Sequence, residues 1–224
     1  MMKVFGPPRD RPWVSAYLSS YNVLLFLLNL IAFWDLFNAN QKGNFNFSHH
    51  YDYLLITTFA QILEVVHAKM GLTKADPKPV LKQVLGRLAV LVITSLARSV
   101  WKTKPTYLLC LAYVSSELVR YPYYVLRTLN YNSWVTNWLR YNSFLVLYPI
   151  GFLCEAITFY GVFNDIYNSG KWKYTFDKPS PFSINAAIFL APLALFAFPY
   201  LAYTLFSHMW AQRKARLFYA KKTR

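Results

Sequence analysis

Two long stretches without a formal charge constrain this chain more than any other feature. Pro12 to Trp34 gives 23 consecutive residues with no Lys, Arg, Asp or Glu, and Pro179 to Gln212 gives 34. A helix needs roughly 20 such residues to cross the hydrocarbon core of a bilayer. The first stretch is not a typical cleaved signal sequence: it is long, and Asn22, Asn29 and its tryptophans leave no short apolar core followed by small residues. Composition agrees. Charged residues are 15% of the 224, below the roughly 25% usual in soluble domains, and apolar residues reach 56%. Two cysteines without a CxxC partner exclude a disulfide framework, a zinc module and a dithiol redox motif. The expectation is an all-α polytopic membrane protein forming a single domain over residues 1–224.

Four weaker stretches carry charges: Tyr53–Met70 with Glu64 and His67, Gly86–Val100 with Arg98, Tyr107–Leu126 with Glu117 and Arg120, and Trp138–Phe163 with Arg140 and Glu155. A four-span reading demotes the second and third spans to peripheral helices. Six spans separate the loop charges better. With both termini cytosolic, sixteen Lys and Arg fall on the cytosolic side and six on the other, the asymmetry that orients membrane proteins. The net charge of +15 is spread between apolar stretches and forms no continuous patch, so nucleic acid is excluded as a partner and the lipid bilayer takes its place. Asn46-Phe47-Ser48, a glycosylation sequon, falls in a lumenal loop on this topology. The chain ends Lys221-Lys222-Thr223-Arg224, which matches a cytosolic dilysine retrieval signal and places the protein in the endoplasmic reticulum membrane; the other reading is a basic tail beside anionic lipid.

Ionisable groups inside spans are costly and mark function or packing. Glu117 and Arg120, three apart, can pair on one helix. Glu64 and His67 repeat the spacing, but no further ligands stand out to complete a metal site. Arg98, near a helix end, is expected to extend to the interface, and Cys110 and Cys154 to act as small buried hydrophobes. Glu155 differs, because its own helix offers it no basic partner. Low dielectric disfavours its charged form, which suits a group that gives or takes a proton near neutrality. Tyr148 lies seven residues before it. Seven residues turn ~700°, within ~20° of two full turns, so both share one face about 10 Å apart along the axis. Pro149 is expected to kink the helix between them. On spacing alone, a catalytic pair and a packing tyrosine beside a carboxyl paired across helices both stand.

At these residues the chain resembles a known family. Leu139-Arg140-Tyr141-Asn142, then Leu147-Tyr148-Pro149-Ile150-Gly151 and Glu155, are similar to the signature of the 3-hydroxyacyl-CoA dehydratases, also known as protein-tyrosine-phosphatase-like proteins. The likeness extends to Tyr21-Asn22, to Leu63-Glu64 with His67 and Gly71-Leu72, to Gln83-Val84 with Arg87, to Glu117-Leu118-Val119-Arg120-Tyr121 with Tyr124, and to Gln212-Arg213-Lys214. Gly86 departs from the family's serine, and Lys74 to Lys82 matches poorly.

The resemblance implies Tyr148 and Glu155 as catalytic residues, with Arg140, Tyr141, Glu117, Arg120, Gln83 and Arg87 binding substrate or supporting the site. It implies elimination of water from a very-long-chain (3R)-3-hydroxyacyl-CoA to give the trans-2-enoyl-CoA, the third step of fatty acid elongation, with no cofactor and no metal. The implied partners are the condensing enzyme (the elongase), the ketoacyl-CoA reductase and the enoyl-CoA reductase.

Other classes fit the residues less well. Phosphatase chemistry of the Cys-x5-Arg type fails, since the sixth position after Cys110 is Ser116 and after Cys154 is Tyr160. A small transporter would show repeats in matching halves, and none is evident. A non-catalytic membrane scaffold of the elongation complex is the main alternative.

Overall fold

The computed structural model describes residues 12–73, 76–169, 173–176, 182–185, 188, 192 and 196–222. The N-terminal cations Lys3, Arg9 and Arg11, Lys74, and the final Thr223-Arg224 of the dilysine segment lie outside the described residues. Helix α1 (Pro12–Gln41) buries Val14, Leu18, Asn22, Leu25, Asn29, Ala32 and Leu36. That three-and-four spacing is one face of a helix. The opposite side carries exposed Leu24, Leu27, Ile31 and Trp34, so α1 is apolar all round. Asn22 and Asn29 satisfy themselves by donating to the carbonyls of Leu18 and Leu25, at 2.7 and 2.8 Å.

Asn46 caps α2 (Phe47–Ala60) by accepting from the Ser48 amide, and α3 (Ile62–Lys69) follows after a turn at Gln61. Asp76 caps α4 (Pro77–Ser95), whose proline sits where a missing amide costs nothing. A 3-10 turn over Arg98–Val100 leads to α5 (Lys104–Thr128), capped by Thr103. Arg98 is exposed, with its guanidinium 5.9 Å from the Trp101 ring. Then come α6 (Trp134–Asn142) and α7 (Phe144–Ser169), an antiparallel ladder of β1 (Lys173–Phe176) with β2 (Phe182–Asn185), and α8 (Phe198–Lys222).

Helix α5 is the centre of the bundle, with α1 along one side and α7 along another. Two apolar clusters fill the gaps. Cys154 lies in the one with Leu109, Phe159 and Val162, and Cys110 in the one with Leu36, Phe47 and Leu91; both thiols are free.

Among the described residues two helical stretches are long and apolar enough to cross a membrane, Pro12–Gln41 and Trp134–Ser169. The expected second span divides into α2 and α3, which at 14 and 8 residues are too short to cross alone, while α4, α5 and α8 carry charges, among them Arg87, Glu117 with Arg120, and the basic end of α8.

One sequence expectation needs correction. Pro179–Gln212 is not one helix. Phe182–Asn185 is a strand, preceded by Pro179 and Pro181, which oppose a helical start there. Pro149 lies inside α7, and the helix boundary before it falls at Ser143. The proline sits in the second turn, where its ring removes one hydrogen bond and the helix continues.

Candidate active site

On α7 the buried face runs Gly151, Cys154, Glu155, Thr158, Phe159, Val162 and Ile166. Tyr148 lies half-buried at the same face, its ring flanked edge-on by Phe144 and Phe152 at 5.9 and 5.7 Å. Tyr148 and Glu155 both open into one inner cavity of about 120 Å³ between α4, α5, α7 and α8. Its walls are mainly apolar, with Phe152, Phe159, Phe198 and Leu201 among them. Gly86 and Gly151 also line it, and a Cβ added at either would meet nothing within 4 Å. The family's serine at position 86 would therefore fit; glycine there leaves the cavity wider.

Glu155 is 7% exposed and has a partner that its own helix does not reveal. The hydroxyl of Tyr113, on α5, donates to its Oε1. The Arg87 guanidinium stacks on the other side of that arrangement, 4.6 Å from the centre of the Tyr113 ring. Glu155 is thus neutral-paired across helices, neither isolated nor salt-bridged among the described residues.

Arg87 in turn joins a buried charge network. It donates to Glu117 at 2.6 Å, to Gln61 at 3.4 Å and to Ser116 at 3.1 Å. Arg120 contacts Glu117 at 2.9 Å, the pairing that their spacing predicts, and Glu64 at 2.6 Å. Tyr121 also donates to Glu64, at 2.9 Å. Two guanidinium and two carboxylate groups so balance across α3, α4 and α5 in the interior.

The same contacts separate Glu64 from His67. Glu64 turns to Arg120, while His67 bonds the Tyr17 hydroxyl at 2.9 Å. The two do not converge, and no cluster of three or more His, Cys, Asp or Glu is found among the described residues.

A second cavity of about 210 Å³ lies toward the ends of α3, α5 and α8 and the start of α4. Tyr148, Gln83 and Leu205 line both cavities, which adjoin there. The outer cavity is rich in cations: Arg120, Arg127 and Arg140 face it. Arg140 lies 5.6 Å from the Tyr124 ring centre and donates to its hydroxyl at 3.4 Å. Tyr141 meets the Tyr123 hydroxyl at 3.1 Å. Gln212 lines the outer cavity, and Arg213 ties α8 to Asn142 at 3.2 Å.

All eight residues expected at the site therefore lie in or beside two adjoining cavities. Tyr148, Glu155, Gln83 and Arg87 line the inner one, Arg120, Arg140 and Tyr141 the outer one, and Glu117 anchors both arginines of the network. Sequence reasoning missed Tyr113, Gln61 and Ser116. Their partners are 42, 26 and 29 residues away, and no local spacing points to them.

Exposed apolar side chains, inward ionisable ones and two span-length helices among the described residues point to a membrane protein. The chain belongs to a known family: residues 58–218 match the model of the Protein tyrosine phosphatase-like protein, PTPLA, family. Very-long-chain (3R)-3-hydroxyacyl-CoA dehydratase 2 of Mus musculus is 27% identical over 208 residues, covering 91% of this chain and 81% of the relative. The Homo sapiens protein of the same name gives the same identity and coverage. Very-long-chain (3R)-3-hydroxyacyl-CoA dehydratase 3 of Mus musculus is 27% identical over 214 residues, covering 94% of this chain and 54% of the relative. No solved structure matches.

Proposed function

We propose that this protein is a very-long-chain (3R)-3-hydroxyacyl-CoA dehydratase, a hydro-lyase that forms the trans-2-enoyl-CoA in the third step of fatty acid elongation. The observation that carries the reading is one carboxyl and one phenol, Glu155 and Tyr148, opening into a single apolar cavity that adjoins one faced by three arginines. The names of the curated relatives support the substrate class.

The chemistry calls for such a pair. The C2 proton of the substrate is acidified only by the thioester, so a placed base must take it. The C3 hydroxyl leaves poorly unless protonated as it departs. Each of the two transfers contributes roughly 10²–10⁴-fold. In our assignment Glu155, neutral in the inner cavity, gives its proton to the leaving hydroxyl, and Tyr148 as phenolate takes the C2 proton. Water and enoyl thioester leave, and a proton then passes from Tyr148 back to Glu155 to reset the site. Arg140 and Arg120 share the outer cavity with Tyr148 and supply the positive charge that a phenolate needs. The reverse assignment uses the same two groups.

Six spans, with both termini cytosolic in the endoplasmic reticulum, complete the proposal. The acyl chain then lies among the spans, and the elongase and the two reductases exchange intermediates with the cytosolic face. Dehydration of a 3-hydroxyacyl-CoA by the purified protein in detergent tests the reading, with trans-2-enoyl-CoA as the expected product. Failure to turn over, with the protein folded, would favour a non-catalytic scaffold. Solvent deuterium exchange at C2 assigns the roles: it survives in Glu155→Gln if Tyr148 is the base, and only in Tyr148→Phe if the roles are reversed.

A further inference from the structure

We infer that Arg127 holds the first phosphate of the coenzyme A moiety, at the far end of the outer cavity from the reacting carbons. The inference rests on the dehydratase reading and adds to it a subsite that the family signature does not touch.

Arg127 lies in the last turn of α5 and faces the outer cavity. Its guanidinium is 5.9 Å from the Tyr123 ring centre, and its buried Nε has no hydrogen-bond partner. Among the described residues no carboxylate pairs with it, whereas Arg87 and Arg120 are ion-paired with Glu117 and Glu64. A half-buried cation without an anion, facing a cavity, is a place for an anionic ligand.

Distance selects which anion. Tyr113 marks the depth of Glu155, because the two are hydrogen-bonded, and Tyr113 and Arg127 stand on the same helix. The fourteen residues between them on α5 rise about 21 Å. A 3-hydroxyacyl-CoA has sixteen bonds from C3, through the thioester and the pantetheine arm, to its first phosphorus. At about 1.25 Å of advance per bond in an extended chain, that is about 20 Å. The inner and outer cavities share Tyr148, Gln83 and Leu205 as lining residues, so they adjoin at these side chains and the proposed path runs past them. With C3 beside Glu155, the thioester passes these side chains and the pantetheine amides run along the outer cavity. Arg140 shares a further small cavity with Tyr148, which places it nearer the reacting carbons than Arg127.

The experiment compares two substrates that differ only in their phosphates. The full-length protein in detergent is given the 3-hydroxyhexadecanoyl thioester of CoA and the same thioester of pantetheine. Arg127→Gln is expected to raise KM for the CoA thioester on the order of tenfold, the contribution of one charge-assisted hydrogen bond, and to leave kcat unmoved. With the pantetheine thioester, KM should not shift, and Arg127→Lys should restore part of the loss. A rise in KM for both thioesters would make Arg127 structural and overturn the inference. No rise for either would overturn it too. A wild-type protein that dehydrates neither thioester would instead refute the dehydratase reading, and the inference with it.

Discussion

At the residue scale, the contact with the most chemical content is the bond from Tyr113 to Glu155. If Glu155 gives up its proton from Oε2 while Tyr113 donates to Oε1, the bond strengthens as the carboxylate forms. An interaction stronger in the transition state than in the ground state raises kcat and leaves KM alone. Tyr113→Phe keeps the ring on which Arg87 stacks and removes only the donor. Its kcat should fall about 10- to 100-fold, the range of a hydrogen bond to a charged group, with KM within about twofold. Steady-state kinetics on the purified variant decide this; an unchanged kcat would reduce Tyr113 to packing. This residue also shows where local reading ends. Glu117 and Arg120 could be paired from sequence because a helix fixes what lies three residues apart. Tyr113 could not, because its meeting with Glu155 exists only once α5 and α7 are packed.

At the element scale, helix α7 is held by its closeness to the 3-10 turn at Arg98–Val100. A Cβ added at Gly161 would lie 2.6 Å from Cγ1 of Val100, a stiff side chain that is itself buried. Gly161→Ala should therefore push the turn off α7 and cost about 1–3 kcal/mol, read as a lower thermal midpoint in detergent. Gly151→Ala, on the same helix but beside open space, should leave the midpoint unchanged. A variant at Gly161 as stable as wild type would mean the two elements do not pack this closely. Helices α1 and α7 were legible in the sequence because their apolar runs are long. The boundary of α8 was not, since a charge-free stretch does not distinguish strand from helix, and the ladder of Phe182–Asn185 with Lys173–Phe176 is a pairing between segments.

At the scale of the whole molecule, the buried network and the two cavities imply a direction. The outer cavity lies at the end of the bundle where Thr73, Asp76, Thr128 and Gln212 meet, and the basic segments beside it are those assigned to the cytosol. Both terminal tags should be digested by protease in sealed microsomes, and a lumenal Asn46 should be shielded from the cytosol. A protected C-terminal tag would invert the topology and remove the dilysine reading. In the sequence, the proposed direction rests on the loop charges and the proposed site on the segment from Arg140 to Glu155. The sequence could not carry the division into an apolar and a cationic chamber, because residues from α3, α4, α5, α7 and α8 build those walls together. The central claim, that Tyr148 and Glu155 act as one catalytic unit, meets its most direct test in the turnover of 3-hydroxyacyl-CoA by purified Tyr148→Phe, Glu155→Gln and the double variant. Each single change nearly preserves shape, so each should insert and fold, yet lose most of kcat. The double variant should be little worse than either, as groups acting in one step are non-additive. Near-normal turnover in either folded single variant, or losses that simply multiply in the double, would contradict the account.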